Sequence, residues 1–324
     1  MKYRSHRIGR ACLLLAGLAP ALFAHADVTS GMEWLRGRES PTGVHRVEDL
    51  AGAADTNAEA YTTVSILSRS ADFPATVGLA REQHDETLLS LARLAHNRVD
   101  LGQSAADQLD ELLAEQGEDG GFPALPGLQS EPLTTAWVLQ ALDRAGRGGQ
   151  TEAARALGYL IATQQADGGW LAAPANTSHV IPTTRVAHVL YAFRNRFALT
   201  QPIARSLTFL QSARQVDNTF GEPFETASVL ETLVALGVDR TALMPVAAAL
   251  SAGQSSNGSF QDDAYVTALA LRALWLFEQP VVEPMQAGLT GRVLSADTGL
   301  PISGATLALS GTAVATLTSN DSGH

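Results

Sequence analysis

The sequence contains almost no cysteine or lysine. Cys12 is the single cysteine in 324 residues, and Lys2 is the single lysine. Both lie within the first 26 residues, where a cleaved leader is predicted. A mature chain that lacks them can form no disulfide, thiolate metal ligand, cysteine nucleophile or lysine Schiff base.

The first 26 residues have the features of a secretory signal peptide. An apolar stretch, "ACLLLAGLAPALFA", precedes a small-residue cleavage site, Ala24-His25-Ala26. Four basic residues come before it: Lys2, Arg4, Arg7 and Arg10. We therefore expect export and cleavage after Ala26, which would place the protein in the periplasm, on the cell surface or outside the cell.

Positive charge is scarce throughout the rest of the chain. The net charge is −11, and removal of residues 1–26 takes away four positive charges and no acidic ones, leaving −15. Nucleic acids and anionic membranes are bound by clustered lysine and arginine. Neither is therefore expected as a partner.

A short turn recurs along the sequence. "QGEDGGF", "QQADGGW", "QVDNTF" and "QSSNGSF" end at Phe122, Trp170, Phe220 and Phe260. A segment with helical spacing follows each turn and contains Thr135, Thr184, Thr226 or Thr267. Two weaker copies, "AYTTVSIL" with Thr63 and "DETLLSLARLA" with Thr87, lack a good turn. This periodicity predicts helix–turn–helix units of roughly 40–50 residues.

The residue types in the turn suit a structural role. Glycine or asparagine can adopt the left-handed conformation that ends a helix, and a glutamine amide can satisfy backbone groups left free there. The aromatic ring would pack over the turn, and the threonine would cap the next helix. The residues assigned to this motif are Gln116, Phe122, Gln165, Asp167, Gly168, Gly169, Trp170, Gln215, Phe220, Gln254 and Phe260.

The segment Gln164–Trp170 resembles the QW motif of terpenoid cyclases. Residues 28–277 resemble the wider α/α-toroid superfamily, which also includes protein prenyltransferases. The resemblance implies a mainly α fold in which six helical hairpins close into a barrel with inner and outer rings. Six threonine-bearing helices match that number, and we assign residues 27–278 to this domain.

The composition changes after this domain. Residues 279–287 form a proline-containing linker, and residues 288–324 contain short β-rich runs between turn residues. The string from Gly291 to Ala305 resembles the start of a carboxypeptidase regulatory-like domain, a small β-sandwich. A sandwich of this kind needs about 100 residues. We therefore expect a truncated module that further β domains continue in a longer protein.

Candidate catalytic acids are few. Class II terpenoid cyclases use the third residue of a D-x-D-D motif to protonate an alkene. The closest match here starts at Glu222 and places Phe224 at the proton donor's position, with Glu225 after it. Asp262 and Asp263 are further candidates near the last inner helix. Acidic residues at helix starts are also favoured by the helix dipole, so capping is the alternative for these residues.

Other chemistries have weaker sequence support. Prenyltransferases bind zinc through a cysteine that the mature chain lacks. The histidines form no metal-binding pair, so neither a metal nor another cofactor is expected; those considered are His45, His84, His96, His179 and His188. A glycan-active toroid would need two carboxylates facing a cavity. Glu131 joins the acids named above as a candidate for that alternative.

The favoured function at this stage is an exported, non-catalytic binding or structural module with an unknown ligand or surface partner. Toroids also serve as binding scaffolds, cobalamin carriers among them, and the proton donor's position holds a phenylalanine. A terpenoid-cyclase-like enzyme and a glycan-active enzyme remain the alternatives. Fold alone does not decide between them.

Overall fold

The computed structural model describes residues 27–172, 177–280, 293–295, 298, 300–309 and 315–321. The predicted signal peptide, residues 1–26, lies outside these residues, as does the predicted linker beyond Pro280. The contacts divide the chain into a unit that ends at Gln279 and a second that begins at Pro280.

The described part of the first unit contains twelve α-helices and one short 3₁₀ helix, Ser70–Asp72. The α-helices are α1 (Val28–Arg38), α2 (Ala53–Ile66), α3 (Pro74–Leu79), α4 (Leu88–Asp100), α5 (Ala106–Ala114), α6 (Pro132–Arg144), α7 (Thr151–Thr163), α8 (Val180–Phe193), α9 (Thr200–Ser212), α10 (Pro223–Ala235), α11 (Arg240–Ala252) and α12 (Ala264–Glu278). None of the described helices is long and apolar enough to cross a membrane.

The even-numbered helices form a closed inner ring. Each contacts the next even-numbered helix, and α12 returns to α2. Each odd-numbered helix packs outside the preceding inner helix, with α1 against α12. The arrangement is an α/α toroid of six hairpins, so the predicted fold class is confirmed.

The helices of the inner and outer rings differ in how many of their faces are apolar. Helix α12 is apolar on nearly all sides, because one face meets the outer ring and the other faces the barrel. Outer helices such as α9 bury a single stripe, which includes Ile203 and Leu210. The hydrophobic core lies between the rings.

The glutamine of the repeated turn joins neighbouring hairpins. Gln116 Nε2 donates to Gly120 O within its own turn and to Glu152 O at the start of the next outer helix, each at 2.9 Å. Gln164 and Gln254 make equivalent pairs of bonds. The motif therefore stabilises each turn and its junction with the following repeat.

Two of the predicted turn glutamines, Gln165 and Gln215, lie one position after the residue that occupies the bridging place. In the second turn the bridging amide belongs to Gln164, whereas Gln165 Nε2 donates to Thr163 O at 2.8 Å. In the third turn the equivalent residue is Arg214, which donates to Asn218 Oδ1 at 2.7 Å. Gln215 lies beside it and does not make the bridge.

The turn aromatics are buried, and a hydroxyl group holds the backbone of each. The N–H groups of Phe122, Trp170, Phe220 and Phe260 donate at 2.9–3.0 Å to Thr135, Thr183, Thr226 and Thr267 Oγ1, respectively. The second of these threonines is Thr183 and not the predicted Thr184. The Trp170 indole also donates to Leu160 O at 2.8 Å.

Close packing explains the glycines of the turn. Gly120 has φ +87°, and a Cβ there would lie 2.6 Å from Arg155 O. Gly168 has φ +94° in the equivalent place. Asp167 Oδ1 accepts the Gly169 N–H at 2.9 Å and so fixes the bend.

Short β-ladders follow two of the turns. Strand β1 (Phe122–Pro123) pairs antiparallel with β2 (Ser130–Glu131), and β3 (Trp170–Leu171) pairs antiparallel with β4 (Ser178–His179). Each ladder ends at the start of an inner helix. It therefore fixes the position at which that helix enters the barrel.

The first two inner helices use different residues at the turn. In α2 the hydroxyl's place is taken by Asn57, whose Oδ1 accepts the Val44 N–H at 3.0 Å. Thr63 lies six residues later and donates to Ala268 O at 2.8 Å. Thr87 is the N-cap of α4. Both helices were predicted, but Thr63 and Thr87 are not equivalent to the later threonines.

The second unit contains one described ladder. Strand β5 (Thr306–Leu309) pairs antiparallel with β6 (Ala315–Thr318), with Thr306 opposite Thr318 and Leu309 opposite Ala315. A hairpin agrees with the predicted β-rich character. It does not show a carboxypeptidase regulatory-like sandwich, which stays a prediction.

Candidate active site

Three of the acids predicted from the sequence, Glu222, Glu225 and Asp263, serve as helix caps. Glu222 and Glu225 form a capping box at the start of α10, in which the Glu222 N–H donates to Glu225 Oε2 at 2.7 Å. Glu225 Oε1 also lies 3.3 Å from His179 Nε2. Both carboxylates are thus engaged at the end of the helix.

Asp262 and Asp263 are likewise placed outside the barrel's interior. Asp263 is the N-cap of α12; it accepts the Val266 N–H at 2.9 Å and also the Leu50 N–H. The Asp262 side chain is exposed, and its backbone oxygen accepts from Arg38 at 2.7 Å. Neither residue lines the central cavity, which removes Asp263 as a substitute proton donor.

The inner ring surrounds a cavity of about 330 Å³. All six inner helices contribute to its wall. Its lining comprises Leu50, Ala51, Asp55, Glu59, Leu89, Arg93, Leu133, Trp137, Ile181, Thr184, Arg185, His188, Phe224, Ser228, Glu231, Thr232, Tyr265 and Leu269.

The lining forms layers because residues four apart lie on one face of a helix. The mouth layer contains the residues near the start of each inner helix: Asp55, Leu89, Leu133, Ile181, Phe224 and Tyr265. The second layer, one turn further, contains Glu59, Arg93, Trp137, Arg185, Ser228 and Leu269. The mouth layer is therefore apolar except for one carboxyl group and one phenol, whereas the second layer is charged.

Asp55 is the acid in the mouth layer. Burial raises the pKa of its carboxyl group, and the negative charges of Asp85 and Glu59 raise it further, against the lowering effect of Arg93. Asp55 Oδ1 is buried and accepts no hydrogen bond from a described residue, although Arg93 Nε lies 3.7 Å away. The pKa of Asp55 is therefore higher than that of an ordinary aspartate.

An ionic network lies beneath the mouth layer. Glu59 lies 2.7 Å from Arg93 and 2.5 Å from Arg272, and Arg272 also binds both carboxylate oxygens of Glu231, at 2.9 and 3.1 Å. Burial alone would raise the pKa of Glu59, but Arg272 and Arg93 lower it from 4.5 to about 2. Glu59 is therefore ionised, while the pKa of Asp55, one helical turn away, is shifted in the opposite direction.

Two further groups complete the second layer and its surroundings. Two guanidinium groups lie over the Trp137 ring, with Arg93 at 4.7 Å and Arg185 at 3.8 Å from its centroid. Burial, together with the positive charge of Arg185, lowers the pKa of His188 to about 4. The cavity thus offers a neutral imidazole at physiological pH.

Sequence reasoning missed the charged residues of this cavity. A signal was present: Glu59, Arg93 and Arg185 in the lining, and Arg272 behind it, each interrupt an otherwise small or apolar helical segment. A charge in such a place must face either a partner or an internal cavity. Within the described residues, no cluster of three or more histidine, cysteine, aspartate or glutamate side chains is placed to hold a metal ion.

The closed double ring and its central cavity define the chain as an α/α toroid with a terpenoid-cyclase-like fold. Neither a protein-family model nor a curated protein matches the sequence. Solved structures do match. A variant of the type II terpene cyclase MstE from Scytonema, in complex with its substrate geranylgeranyl dihydroxybenzoate, is 14% identical with a TM-score of 0.61, over 76% of this chain and 95% of that one.

Two other solved structures have the same fold. A protein from Actinoplanes is 17% identical with a TM-score of 0.59, over 78% of this chain and 98% of that one. The ent-copalyl diphosphate synthase from Streptomyces platensis is 18% identical with a TM-score of 0.52, over 69% of this chain and 50% of that one. At these identities the likeness is one of fold.

These findings correct the function favoured by the sequence. A non-catalytic binding or structural module was expected, yet two of these neighbours are terpene cyclases and one of them holds its substrate. The alternative of a terpenoid-cyclase-like enzyme has the better support.

Proposed function

We propose that this protein is a terpenoid-cyclase-like enzyme in which Asp55 protonates a carbon–carbon double bond of an apolar chain. The observation that carries the proposal is the Asp55 carboxyl group, which is desolvated, accepts no hydrogen bond at Oδ1 and lines the apolar mouth of the cavity. Alkenes are weak bases. A neutral carboxylic acid in a dry site is a suitable donor to one.

The position of Asp55 accounts for the missing acid motif. Phe224 occupies the proton donor's place in the closest match to D-x-D-D, and it lies in the same mouth layer as Asp55. The acid would therefore be moved from α10 to α2 at the same end of the barrel. Phe224 and Tyr265 would then offer aromatic faces to the cation that protonation creates.

The reaction balances without a cofactor. The Asp55 proton adds to one alkene carbon, and the π electrons of a second double bond close a ring onto the cation. Loss of a proton from the cyclised cation to His188, which is neutral above its pKa of about 4, forms a new double bond. His188 then releases its proton to water and Asp55 takes one up from water, so both residues are restored and the net change is an isomerisation.

The test compares two conservative variants of the mature protein. Asp55→Asn removes the proton donor, whereas Asp263→Asn changes an acid outside the cavity and retains a residue that can cap α12. The probes are farnesol, farnesoic acid, farnesyl diphosphate, squalene, geranylgeranyl diphosphate and geranylgeranyl dihydroxybenzoate, with products identified by mass spectrometry.

We expect cyclised product from the wild type and from Asp263→Asn, and a loss of about 10²-fold or more in Asp55→Asn, which is the usual contribution of a general acid. Equal product from Asp55→Asn and the wild type would remove Asp55 from the mechanism. A wild type that cyclises none of these polyenes would contradict the proposed function.

The glycan-active alternative has less support. Glu59 and Glu231 do face the cavity, but both are held by Arg272. The mouth layer presents Leu89, Leu133 and other apolar groups, which would leave the hydroxyl groups of a sugar without hydrogen bonds.

Export and the C-terminal module belong to the same proposal. The basic and apolar segments of residues 1–26 support a cleaved signal peptide, and the glycine and proline pattern of residues 291–305 supports a regulatory-like β module. An exported enzyme of this kind would meet its substrate outside the cytoplasm. The mature chain is acidic overall. An anionic partner would therefore need a local positive site on the protein, whereas an uncharged partner would not.

A further inference from the structure

One arginine in the cavity has no carboxylate partner. Arg93 and Arg272 each form ion pairs with cavity carboxylates. Arg185, on α8, makes no ion pair with any described residue; its Nη1 donates to Gln140 Oε1 at 3.0 Å, and its guanidinium lies 3.8 Å from the centroid of the Trp137 ring. Arg185 also lines the cavity.

Arg185 is only partly exposed, and no neighbouring carboxylate forms an ion pair with its guanidinium among the described residues. Arginine has five N–H donors, and one of those on Arg185 meets the Gln140 amide oxygen. Burial lowers the pKa of Arg185, although Glu231 and Glu59 oppose the effect. Buried charges in folded proteins are normally paired, so an unpaired one beside a cavity indicates a binding partner of opposite charge.

The charges of the whole cavity lead to the same conclusion. Arg93 pairs with Glu59, and Arg272, which lies outside the lining, pairs with both Glu59 and Glu231. Arg185 is therefore left without a carboxylate at ion-pair distance among the described residues. The stacking on Trp137 holds the guanidinium in a fixed orientation, which suits recognition of a planar or tetrahedral oxyanion.

We propose that the cavity binds an amphiphilic anion, in which an unsaturated hydrocarbon chain contacts the mouth layer and a carboxylate or phosphate group pairs with Arg185. The hydrocarbon part rests on the proposed function, whereas the anionic part rests on Arg185. Carboxylate and phosphate share the chemistry that a guanidinium recognises.

The cavity volume limits the size of the chain. About 330 Å³ corresponds to about eleven water molecules at ~30 Å³ each. A farnesyl-sized chain therefore fits the cavity better than a squalene-sized chain. The hydrocarbon would displace water from Leu89, Leu133 and Ile181, which favours binding.

An anion at Arg185 would also act on Asp55. The added negative charge lies in the same low-dielectric cavity as the Asp55 carboxyl group, and like charges disfavour ionisation. An acidic substrate would thus help to keep its own proton donor protonated. A neutral alcohol of the same chain length would not.

The experiment measures binding of matched farnesyl ligands to the mature protein by isothermal titration calorimetry. Farnesoic acid and farnesyl phosphate supply the two anions, and farnesol supplies the neutral control. We expect both anions, or one of them, to bind at least tenfold more tightly than farnesol; the stronger anion identifies the head group. Arg185→Gln should remove that preference and leave farnesol binding within about twofold.

Two variants control for charge and folding. Arg185→Lys keeps the positive charge without the planar fork and should retain part of the preference. Arg194→Gln removes an exposed arginine that lies over Tyr191 near the end of the same helix, and should behave as the wild type. Thermal unfolding of each variant identifies any loss of fold.

The outcomes separate this inference from the proposed function. Equal affinity for farnesol and both anions in the wild type overturns the assignment of Arg185, as does an anion preference that survives in Arg185→Gln. Either result is independent of whether polyenes are cyclised. An anion preference without any cyclised product would support the anion site and contradict the enzyme.

Discussion

Replacing Glu59 with glutamine tests the ionic network of the cavity. The pKa of Glu59 is lowered from 4.5 to about 2 in the folded protein. At ~1.4 kcal/mol for each tenfold change in the proton equilibrium, this difference corresponds to about 3 kcal/mol of stability. Because the folded-state pKa is lowered, the contribution is fully present above pH 4.5 and is lost as the pH falls to about 2.

Urea unfolding followed by circular dichroism measures the effect. The free energy of unfolding of the wild type should exceed that of Glu59→Gln by about 3–5 kcal/mol at pH 7, because the variant leaves two buried arginines with fewer partners. The gap should shrink by most of 3 kcal/mol as the pH is lowered from 4.5 towards 2. Asp72→Asn, which removes an exposed ion pair with Arg69, should show no comparable gap.

A gap between wild type and Glu59→Gln that stays constant from pH 7 to acid would refute this reasoning. It would mean that Glu59 titrates alike in the folded and unfolded chains. The Arg93 and Arg272 contacts would then add no net preference for the carboxylate, and the pH dependence of stability would have to come from other groups.

Three other results are expected. Trp170→Ala should lower the free energy of unfolding by about 3–5 kcal/mol, because removal of the buried ring leaves a cavity. A loss below about 1 kcal/mol in this variant would contradict a packing role. Trp170→Phe should lower the free energy of unfolding by about 1–2 kcal/mol, mainly through the lost hydrogen bond to Leu160 O. N-terminal sequencing of exported protein should begin at Asp27, and recovery of soluble cytosolic protein with Met1 intact would contradict export. Turnover should fall as the pH rises through the raised pKa of Asp55, and a profile unchanged in Asp55→Glu would contradict its role as the acid.

The repeated turn made the fold predictable from the sequence. Its glutamine, glycine and aromatic residues each satisfy a local structural requirement, so the same residue types recur where the same turn forms. Gln116 and Gln254 illustrate this, since both make the same two backbone bonds in different repeats. Local chemistry of this kind can be read from the residues alone.

The cavity could not be predicted in the same way, because it depends on the register of α2. In each inner helix from α6 onwards, one threonine side chain accepts a hydrogen bond from the preceding turn. The residue two positions before this threonine and the residue two positions after it line the cavity, as Phe224 and Ser228 do around Thr226. In α2 the turn-bonding residue is Asn57, and the rule then selects Asp55 and Glu59.

Aligning α2 on Thr63 instead selects the wrong face of the helix. The same rule applied to Thr63 gives Tyr61 and Ser65, neither of which lines the cavity. The first turn contains Val44 where later turns contain an aromatic residue, so the turn motif that marks the register of the later helices is missing here. The predicted acids near α10 and α12 were those closest to well-formed turns.

The bonds of Gln254 join the last repeat to the first and can form only after the last repeat has been synthesised. Its side chain accepts from Asp27 N at 2.8 Å and donates to Asp27 O at 3.0 Å, across 227 residues of sequence. An open array of repeats can fold one unit at a time. In this closed ring, the first hairpin packs against the second and the last hairpins, so one of its two neighbours is the last hairpin to be synthesised. A nascent chain with five hairpins would form an arc with two exposed apolar edges. The longer this intermediate persists, the more it would aggregate.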